Sequence, residues 1–242
     1  MAAASGDLLA VLAGMFVMLP MIVSLQLIEP AAAAAAAQAE APPETMQALL
    51  DLYLQQMRAN WPVLLARELV AGFGMLAMLV LLLREGRPTV GESLRLGLWL
   101  LPAYVLAEII GGLMLAVAFM AFVLPFFYML ARLVLLPAAI AAEGRTNPVE
   151  LVRRSFALSR GNGLRILLML AILFLTTQLA LRVVMLIVSI AGALLLPADL
   201  AGFAEHVAVG LMSAVVAVVS VLMTAAIYRQ ASGGDRPALS AR

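Results

Sequence analysis

Six long runs of apolar residues, separated by short polar segments, constrain the fold of this chain more than any other feature. A helix needs roughly 20 apolar residues to cross a hydrocarbon layer of about 30 Å. Hydrophobic residues make up 65% of the 242 residues and charged residues only 12%, whereas a soluble domain carries about a quarter charged residues. The sequence therefore predicts an all-α membrane bundle in one domain, residues 1–242, with about six transmembrane helices at 8–28, 62–83, 98–119, 121–142, 166–190 and 206–228.

The arginines predict how this bundle is oriented. All fifteen cationic side chains are arginines, and eleven of them lie in the polar loops 84–97 and 143–165 or after the sixth span. Loops rich in positive charge stay on the cytoplasmic side of a membrane. We therefore expect both loops and both termini to be cytoplasmic. The use of arginine for every cation, with many alanines and leucines, favours a GC-rich bacterial genome as the source of the chain.

Residues 29–61 carry few arginines and are predicted to lie outside. The alanine-rich stretch 31–43 is typical of a mobile linker. Asn60 and Pro62 are predicted to cap and to begin the second span. Between these parts, the spacing of apolar residues predicts an amphipathic helix on the outer membrane face, formed by Met46, Leu49, Leu50, Tyr53, Leu54, Met57 and Trp61.

A short motif occurs twice in the two arginine-rich loops. Residues 85–95 read EGRPTVGESLR and residues 143–153 read EGRTNPVELVR, so the pattern E-G-R-x4-E-x2-R recurs at an offset of 58. We interpret it as an internal duplication, with chance recurrence in an arginine-rich chain as the alternative. Because both copies are predicted to be cytoplasmic, an even number of crossings must separate them. The third and fourth spans should thus form a hairpin that turns near Met120.

Two opposite charges lie inside this predicted hairpin, each twelve residues from the turn: Glu108 and Arg132. A lone charge at the centre of a spanning helix costs roughly 2.5–3.5 kcal/mol, so the sequence predicts that the two form an intramembrane ion pair. Such a pair could be a lock that sets the register of the hairpin, or a polar site for an ion, a proton or a lipid headgroup. Pro102 and Pro137 are expected to break both helices in the cytoplasmic half.

The second loop is predicted to contain a short amphipathic helix. Asn147 would cap it, Pro148 would take its first position, Glu150 would complete a capping box and Gly161 would end it. We expect the apolar side chains of Leu151, Phe156 and Leu158 to enter the acyl region of the membrane. The arginines are expected to bind lipid headgroups or a partner protein. They are Arg145, Arg153, Arg154, Arg160 and Arg165.

Few other residues suggest chemistry. Gln178 and Arg182, one turn apart in the fifth span, could form a polar track through the bundle. The chain has no cysteine and one histidine, His206, so we expect no metal site. No phosphate-binding, nucleophile-elbow or zinc-protease motif occurs. We expect neither an enzyme nor a cofactor, and a net charge of +1 predicts no nucleic-acid partner.

Residues 132–161, RLVLLPAAIAAEGRTNPVELVRRSFALSRG, resemble the membrane domain that is fused to some glycerophosphoryl diester phosphodiesterases, and more distantly the YciC-type bacterial inner-membrane proteins. The likeness rests on an in-membrane arginine, a proline, an E-G pair and an R-S pair before a glycine-ended helix, here Arg132, Pro137, Glu143–Gly144, Arg154–Ser155 and Gly161. It implies a multi-span inner-membrane module. It implies no hydrolysis, because the catalytic barrel of the fused enzymes needs some 250 further residues.

Two functions remain open at this point. The first is a non-enzymatic inner-membrane module that binds lipid or a partner and supports the assembly of a membrane complex or the organisation of the envelope. The second is a small secondary or lipid transporter that uses a polar site at the Glu108–Arg132 hairpin. The partners expected are membrane lipids together with another membrane protein or a second copy of the chain.

Overall fold

The computed structural model describes residues 2–38, 46–86 and 88–233, and it is all-α in these ranges. Six of its helical stretches are long and apolar enough to cross a membrane, as predicted. A π-helical turn, Gly14–Met18, separates the first two helices. The α-helices are α1 (Ala2–Ala13), α2 (Leu19–Gln38), α3 (Met46–Leu83), α4 (Val90–Ala121), α5 (Val123–Leu133), α6 (Leu136–Glu143), α7 (Pro148–Leu158), α8 (Gly163–Leu195) and α9 (Ala198–Gly233).

The first span consists of α1, the π-helical turn and most of α2, and its irregularity follows from Pro20. Proline has no backbone N–H, and its ring clashes with the carbonyl four residues earlier, here that of Phe16. The backbone N–H of Leu19 bonds to the carbonyl of Gly14, five residues earlier, which widens the helix at this point. A π-helical turn of this kind lets the chain pass a proline and stay helical. The first span, predicted at residues 8–28, therefore continues past Pro20.

The outer segment differs from the prediction. Helix α3 runs without interruption from Met46 to Leu83 and contains Pro62, so no separate amphipathic helix precedes the second span. Asn60 does not cap a helix, because its side chain donates to the carbonyl of Gln56 within α3. Residues 31–38, predicted as linker, are the last turns of α2, and residues 39–43 lie outside the described ranges. Pro62 therefore does not begin the second span but lies inside a continuous helix.

The hairpin of the third and fourth spans is confirmed close to the predicted position. Helix α4 ends at Ala121, Phe122 is extended, and α5 begins at Val123. Pro102 lies inside α4 without breaking it, so that part of the prediction is wrong. The fourth span does break, at Val134 and Leu135, and Pro137 begins the helix α6 that follows.

The core of the bundle lies around α6 and the middle of α3. Residues Leu76–Val80 of α3 and residues Leu135–Ala141 at α6 are almost completely inaccessible. Glycine allows the first span to pack closely here, because a side chain at Gly74 would collide with Phe16. The rings of Phe16 and Phe73 then meet edge to face, with centroids 5.0 Å apart.

Helix α7 packs on the bundle, which corrects the expectation that its apolar face enters lipid. Leu151, Val152 and Leu158 are buried, and the helix contacts α4, α5, α6 and α9. Arg153 on the outer face of α7 is exposed, as is Arg160 just beyond the end of the helix. The spacing of the apolar residues predicted a one-sided helix correctly, but that spacing is the same for a lipid and for a protein surface.

Candidate functional site at the arginine-rich end

The two copies of the repeated motif meet at one end of the bundle. A side chain at Gly144, in the second copy, would collide with the guanidinium of Arg84, just before the first copy. The Nε of Arg84 donates to the carbonyl of Ala141 at 3.3 Å. Arg229, near the end of α9, donates to the carbonyl of Leu82. We call this end of the molecule the arginine-rich end; it brings both loops to one side, as predicted.

Both copies fold the chain in the same way. Gly86 and Gly144 have positive φ, 93° and 65°, a backbone conformation that favours glycine and ends a helix. Three residues later, Thr89 and Asn147 cap the next helix. The two glycines are 58 residues apart, and so are the two capping residues. The repeated sequence is a repeated helix–turn–helix, which strengthens the interpretation as a duplication.

The two caps differ in one detail. Thr89 and Glu92 form a complete capping box, in which each side chain bonds to the backbone N–H of the other residue, at 3.3 Å and 2.7 Å. Asn147 accepts from the N–H groups of Val149 and Glu150. Among the described residues, the carboxylate of Glu150 returns no bond to Asn147, and its oxygen lies 3.9 Å from Arg145. The capping box predicted for Asn147 and Glu150 is thus only half-formed, whereas the first copy, for which none was predicted, has a complete one.

Glu143 is the centre of an ion-pair network at this end. Its carboxylate lies 2.6 Å from Nε of Arg154 on α7 and 2.9 Å from Nε of Arg145. The hydroxyl of Tyr228 on α9 donates to the same carboxylate at 3.1 Å. Because the side chain of Glu143 is only 15% exposed, these bonds form away from bulk water and count for more than a surface pair. They connect α6, α7 and α9.

Arg132 does not form the predicted ion pair with Glu108, since no ion pair of either residue exists within the described ranges. Its guanidinium donates to the carbonyl of Phe156 at 3.2 Å and to the hydroxyl of Tyr128 at 2.9 Å. Phe156 lies in the last turn of α7, whose carbonyls carry a partial negative charge. The end of a helix thus supplies the negative partner.

A second hydrogen bond between Arg132 and α7 satisfies a backbone carbonyl near the break in the fourth span. Pro137 cannot continue the backbone bonds of α5, so carbonyls near the end of that helix lose their partners. The hydroxyl of Ser155 on α7 donates to the carbonyl of Arg132 at 2.6 Å. Arg132 and Ser155 therefore bond α5 and α7 to each other in both directions. This arrangement favours the interpretation of Arg132 as a lock, with α7 in place of Glu108.

Glu108 lies on the exposed surface of α4. Its carboxylate interacts with the hydroxyl of Tyr104, one turn earlier on the same helix. Helix α4 buries another face, which includes Ala103, Ala107 and Gly111. Glu108 and Arg132 therefore project to different neighbours.

Five arginines at this end are exposed and have no ion pair with a described residue: Arg95, Arg153, Arg160, Arg165 and Arg229, the last of which bonds to the carbonyl of Leu82. Arg145 and Arg154, predicted as members of the same lipid-binding group, are engaged by Glu143. Beside Arg95, a cavity of about 570 Å³ opens between the first motif and α4. It is lined by Arg84, Glu85, Gly86, Pro88, Glu92, Arg95, Leu96 and Trp99.

This cavity is amphipathic. Arg84 and Arg95 supply positive charge, and Leu96 and Trp99 form an apolar wall. The carboxylates of Glu85 and Glu92 also line the cavity, and Glu92 is held by the capping box with Thr89. Trp99 is 61% exposed, and tryptophan is enriched where membrane meets water. The spacing of Arg95 and Trp99, one turn apart on α4, was visible in the sequence, but the contribution of Arg84 depends on the turn that brings α3 beside α4.

The predicted polar track on α8 is not continuous with the site. Gln178 and Arg182 are both exposed on α8, and neither has an ion pair or a side-chain hydrogen bond with a described residue. His206, the single histidine, accepts at Nδ1 a hydrogen bond of 2.8 Å from the side-chain amide nitrogen of Gln26 and thereby connects the first and sixth spans. Within the described ranges, no cluster of residues could hold a metal ion.

Comparisons with known proteins return no match, whether to a family model, to a curated protein or to a solved structure. The resemblance of residues 132–161 to the phosphodiesterase-associated membrane domain therefore stays a prediction.

Proposed function

We propose that this protein is a non-enzymatic membrane module that binds phospholipid headgroups at its arginine-rich end, in a bacterial inner membrane with that end in the cytoplasm. Its role would be to support the assembly of a membrane complex or the organisation of the envelope. The observation that carries the proposal is the cavity between the first motif and α4, where arginines and an exposed tryptophan occur together.

Phosphate is the chemistry that this cavity fits best. A guanidinium presents N–H donors in a fork that matches two phosphate oxygens. Arg95 is exposed and has no ion pair with a described residue, so it can bind a headgroup without losing an internal contact. The apolar wall of Leu96 and Trp99 continues along α4 and offers a surface for the first carbons of an acyl chain.

Charge at this end favours an anionic lipid. In the described part of the chain, eight arginines lie here against four carboxylates: Arg84, Arg95, Arg145, Arg153, Arg154, Arg160, Arg165 and Arg229 against Glu85, Glu92, Glu143 and Glu150. Each exposed arginine near an anionic surface contributes about 1 kcal/mol of binding free energy. We therefore expect phosphatidylglycerol to bind more tightly than phosphatidylcholine.

Trp99 allows a direct test. The chain has two tryptophans, so Trp61→Phe leaves Trp99 as the reporter. In vesicles, lipids brominated near the headgroup should quench its fluorescence more when they are phosphatidylglycerol than when they are phosphatidylcholine. Arg95→Gln should remove most of this difference, because the phosphate loses its cation. Arg58→Gln is the matched control, because Arg58 lies in the part of α3 that is far from the arginine-rich end.

Equal quenching by the two lipids, or quenching that Arg95→Gln leaves unchanged, would contradict the proposal. The transporter remains the alternative, and it requires a water-filled cavity at Glu108 and Arg132. Neither residue lines the three cavities described in this structure. Uptake assays with reconstituted vesicles that showed loss of transport on Glu108→Gln would favour the transporter.

A further inference from the structure

We propose that the protein associates with a second copy of itself in the membrane, through a contact between Arg182 on α8 of one copy and Glu108 on α4 of the other. The inference goes beyond lipid binding and does not depend on it. Arg182, Glu108 and the nearly unpacked surface of α8 carry it.

Helix α8 is the least packed span of the molecule. Of its 33 residues, only Ile166 and Gly192 are buried, and its packing partners are α5 and α9. Most of its surface faces outward, where a membrane protein meets either lipid or another protein. An apolar surface of this kind needs no protein partner, because lipid covers it well.

Two polar residues make this surface different from an ordinary lipid-facing helix. Gln178 and Arg182 lie one turn apart near the middle of α8, and both are exposed. A charged side chain in the interior of a membrane almost always faces the bundle or pairs with an opposite charge. Arg182 does neither with the described residues. A negative partner outside the molecule would account for it.

The chain itself carries a suitable partner on another surface. Glu108 is exposed on α4 and likewise has no ion pair with a described residue. Glu108 lies thirteen residues before Ala121, where α4 ends, and Arg182 lies thirteen residues before Leu195, where α8 ends. At a rise of 1.5 Å per residue, each is about 20 Å from the end of its helix.

This equal depth favours a second copy over an unrelated partner. Both helices begin at the arginine-rich end and run towards the opposite end, and copies inserted in one membrane share one orientation. Arg182 of one copy therefore meets Glu108 of the other at the same level. Gly112, one turn beyond Glu108, is exposed and has open space above its backbone. Such a position lets a neighbouring helix approach closely.

The absence of cysteine allows a crosslinking test. Ala116→Cys on α4 lies two turns beyond Glu108, and Ser189→Cys on α8 lies two turns beyond Arg182; both positions are exposed. Co-expressed in one cell with tags of different size, the two variants should form a mixed disulfide dimer on mild oxidation of the membranes. We expect this dimer to form about tenfold more than either homotypic dimer, a ratio within the range of polar contacts between membrane helices.

Charge reversal then identifies the contact. Arg182→Glu in the Ser189→Cys copy should reduce the mixed dimer about tenfold, and Glu108→Arg added to the Ala116→Cys copy should restore it. Thr176→Val is the matched control on α8, because the hydroxyl of Thr176 bonds only to carbonyls of its own helix. If charge reversal disturbs folding, the neutral substitutions Arg182→Gln and Glu108→Gln replace it. Each should reduce the mixed dimer, and combining the two should not restore it.

A mixed dimer no more abundant than the homotypic ones would overturn the proposal, as would a mixed dimer that survives both charge reversals separately. The amount of mixed dimer is measured in native membranes and does not require binding of a particular lipid. A failure here therefore leaves the lipid-binding proposal standing, and a failure of the quenching test leaves this one standing.

Discussion

Helices α6 and α8 are both strongly apolar, yet they occupy opposite environments. Residues Leu136–Ala141 of α6 are all buried, within a helix that contacts α3, α4, α7 and α9. Helix α8 buries two of its 33 residues. The comparison shows that the hydropathy of a helix indicates only that the helix is kept away from water. It does not distinguish a helix covered by protein from one covered by lipid.

Polar residues show the difference that hydropathy misses. Around α6, Glu143 and Arg132 find partners on α7 and α9. On α8, Gln178 and Arg182 find none among the described residues. Stability should therefore depend on small changes near α6 and tolerate similar changes on α8. Four pairs of substitutions test this contrast, and in three of them the control lies on α8.

A large difference is expected for a small residue that is made large. Ala139 on α6 is completely buried, so Ala139→Leu forces three extra carbon atoms into a filled core and should lower the free energy of unfolding by about 3 kcal/mol. Ala180→Leu on exposed α8 is the control and should change little. Unfolding by denaturing detergent measures both. Equal effects would show that the core around α6 accommodates added volume and is not closely packed.

The second difference concerns charge. Glu143→Gln removes the negative partner of Arg154 and Arg145, and hydrogen bonds to charged groups contribute roughly 1.5–3 kcal/mol. We expect a loss of about 2 kcal/mol in the free energy of unfolding. Glu150→Gln is the control, since its carboxylate is 53% exposed and lies 3.9 Å from Arg145. A control as damaging as Glu143→Gln would contradict the network.

A smaller effect is expected at the break in the fourth span. Ser155→Ala leaves the carbonyl of Arg132 without its partner and should cost about 1 kcal/mol, as for one polar contact between membrane helices. Thr176→Val removes a hydroxyl that bonds only within α8, and it should be neutral. Protease sensitivity of the loop after α7 offers a second measurement, because a loosened α7 exposes that loop.

The smallest effect is expected on the lipid-facing surface. Leu179 on α8 is 67% exposed, so Leu179→Ala exchanges one lipid contact for another and should change the free energy of unfolding by about 0.5 kcal/mol or less. Leu136→Ala, in the buried helix α6, should cost about 2–5 kcal/mol. If Leu179→Ala proved as costly as Leu136→Ala, α8 would be covered by protein over most of its length.

The sequence predicted the six spans, the hairpin turn and the Asn147 cap of the second motif, because each depends on residues close together in the chain. Apolar length sets a span, and Asn147 followed by Pro148 sets a helix start. It did not predict that α3 continues through Pro62. A proline at the start of an apolar run is equally typical of a first helical residue and of a tolerated kink.

The candidate site was predicted only in part, and for a physical reason. Counting residues from a turn gives the depth of Glu108 and Arg132 but not the direction in which each side chain points. Arg132 is bonded instead to a backbone carbonyl at the end of α7, and no particular residue type marks such a carbonyl. For the same reason, Arg84 could not be assigned to the cavity before the fold of the turn was known.

The pairing of the first span with the last has a consequence for biosynthesis. Helix α9 contacts α1, α2 and the π-helical turn between them, and Gln26 bonds to His206 across 180 residues. The first span thus leaves the ribosome long before its main neighbour exists. Until α9 is translated, the first span can pack only against α3. Final assembly of the bundle therefore follows insertion of the last helix.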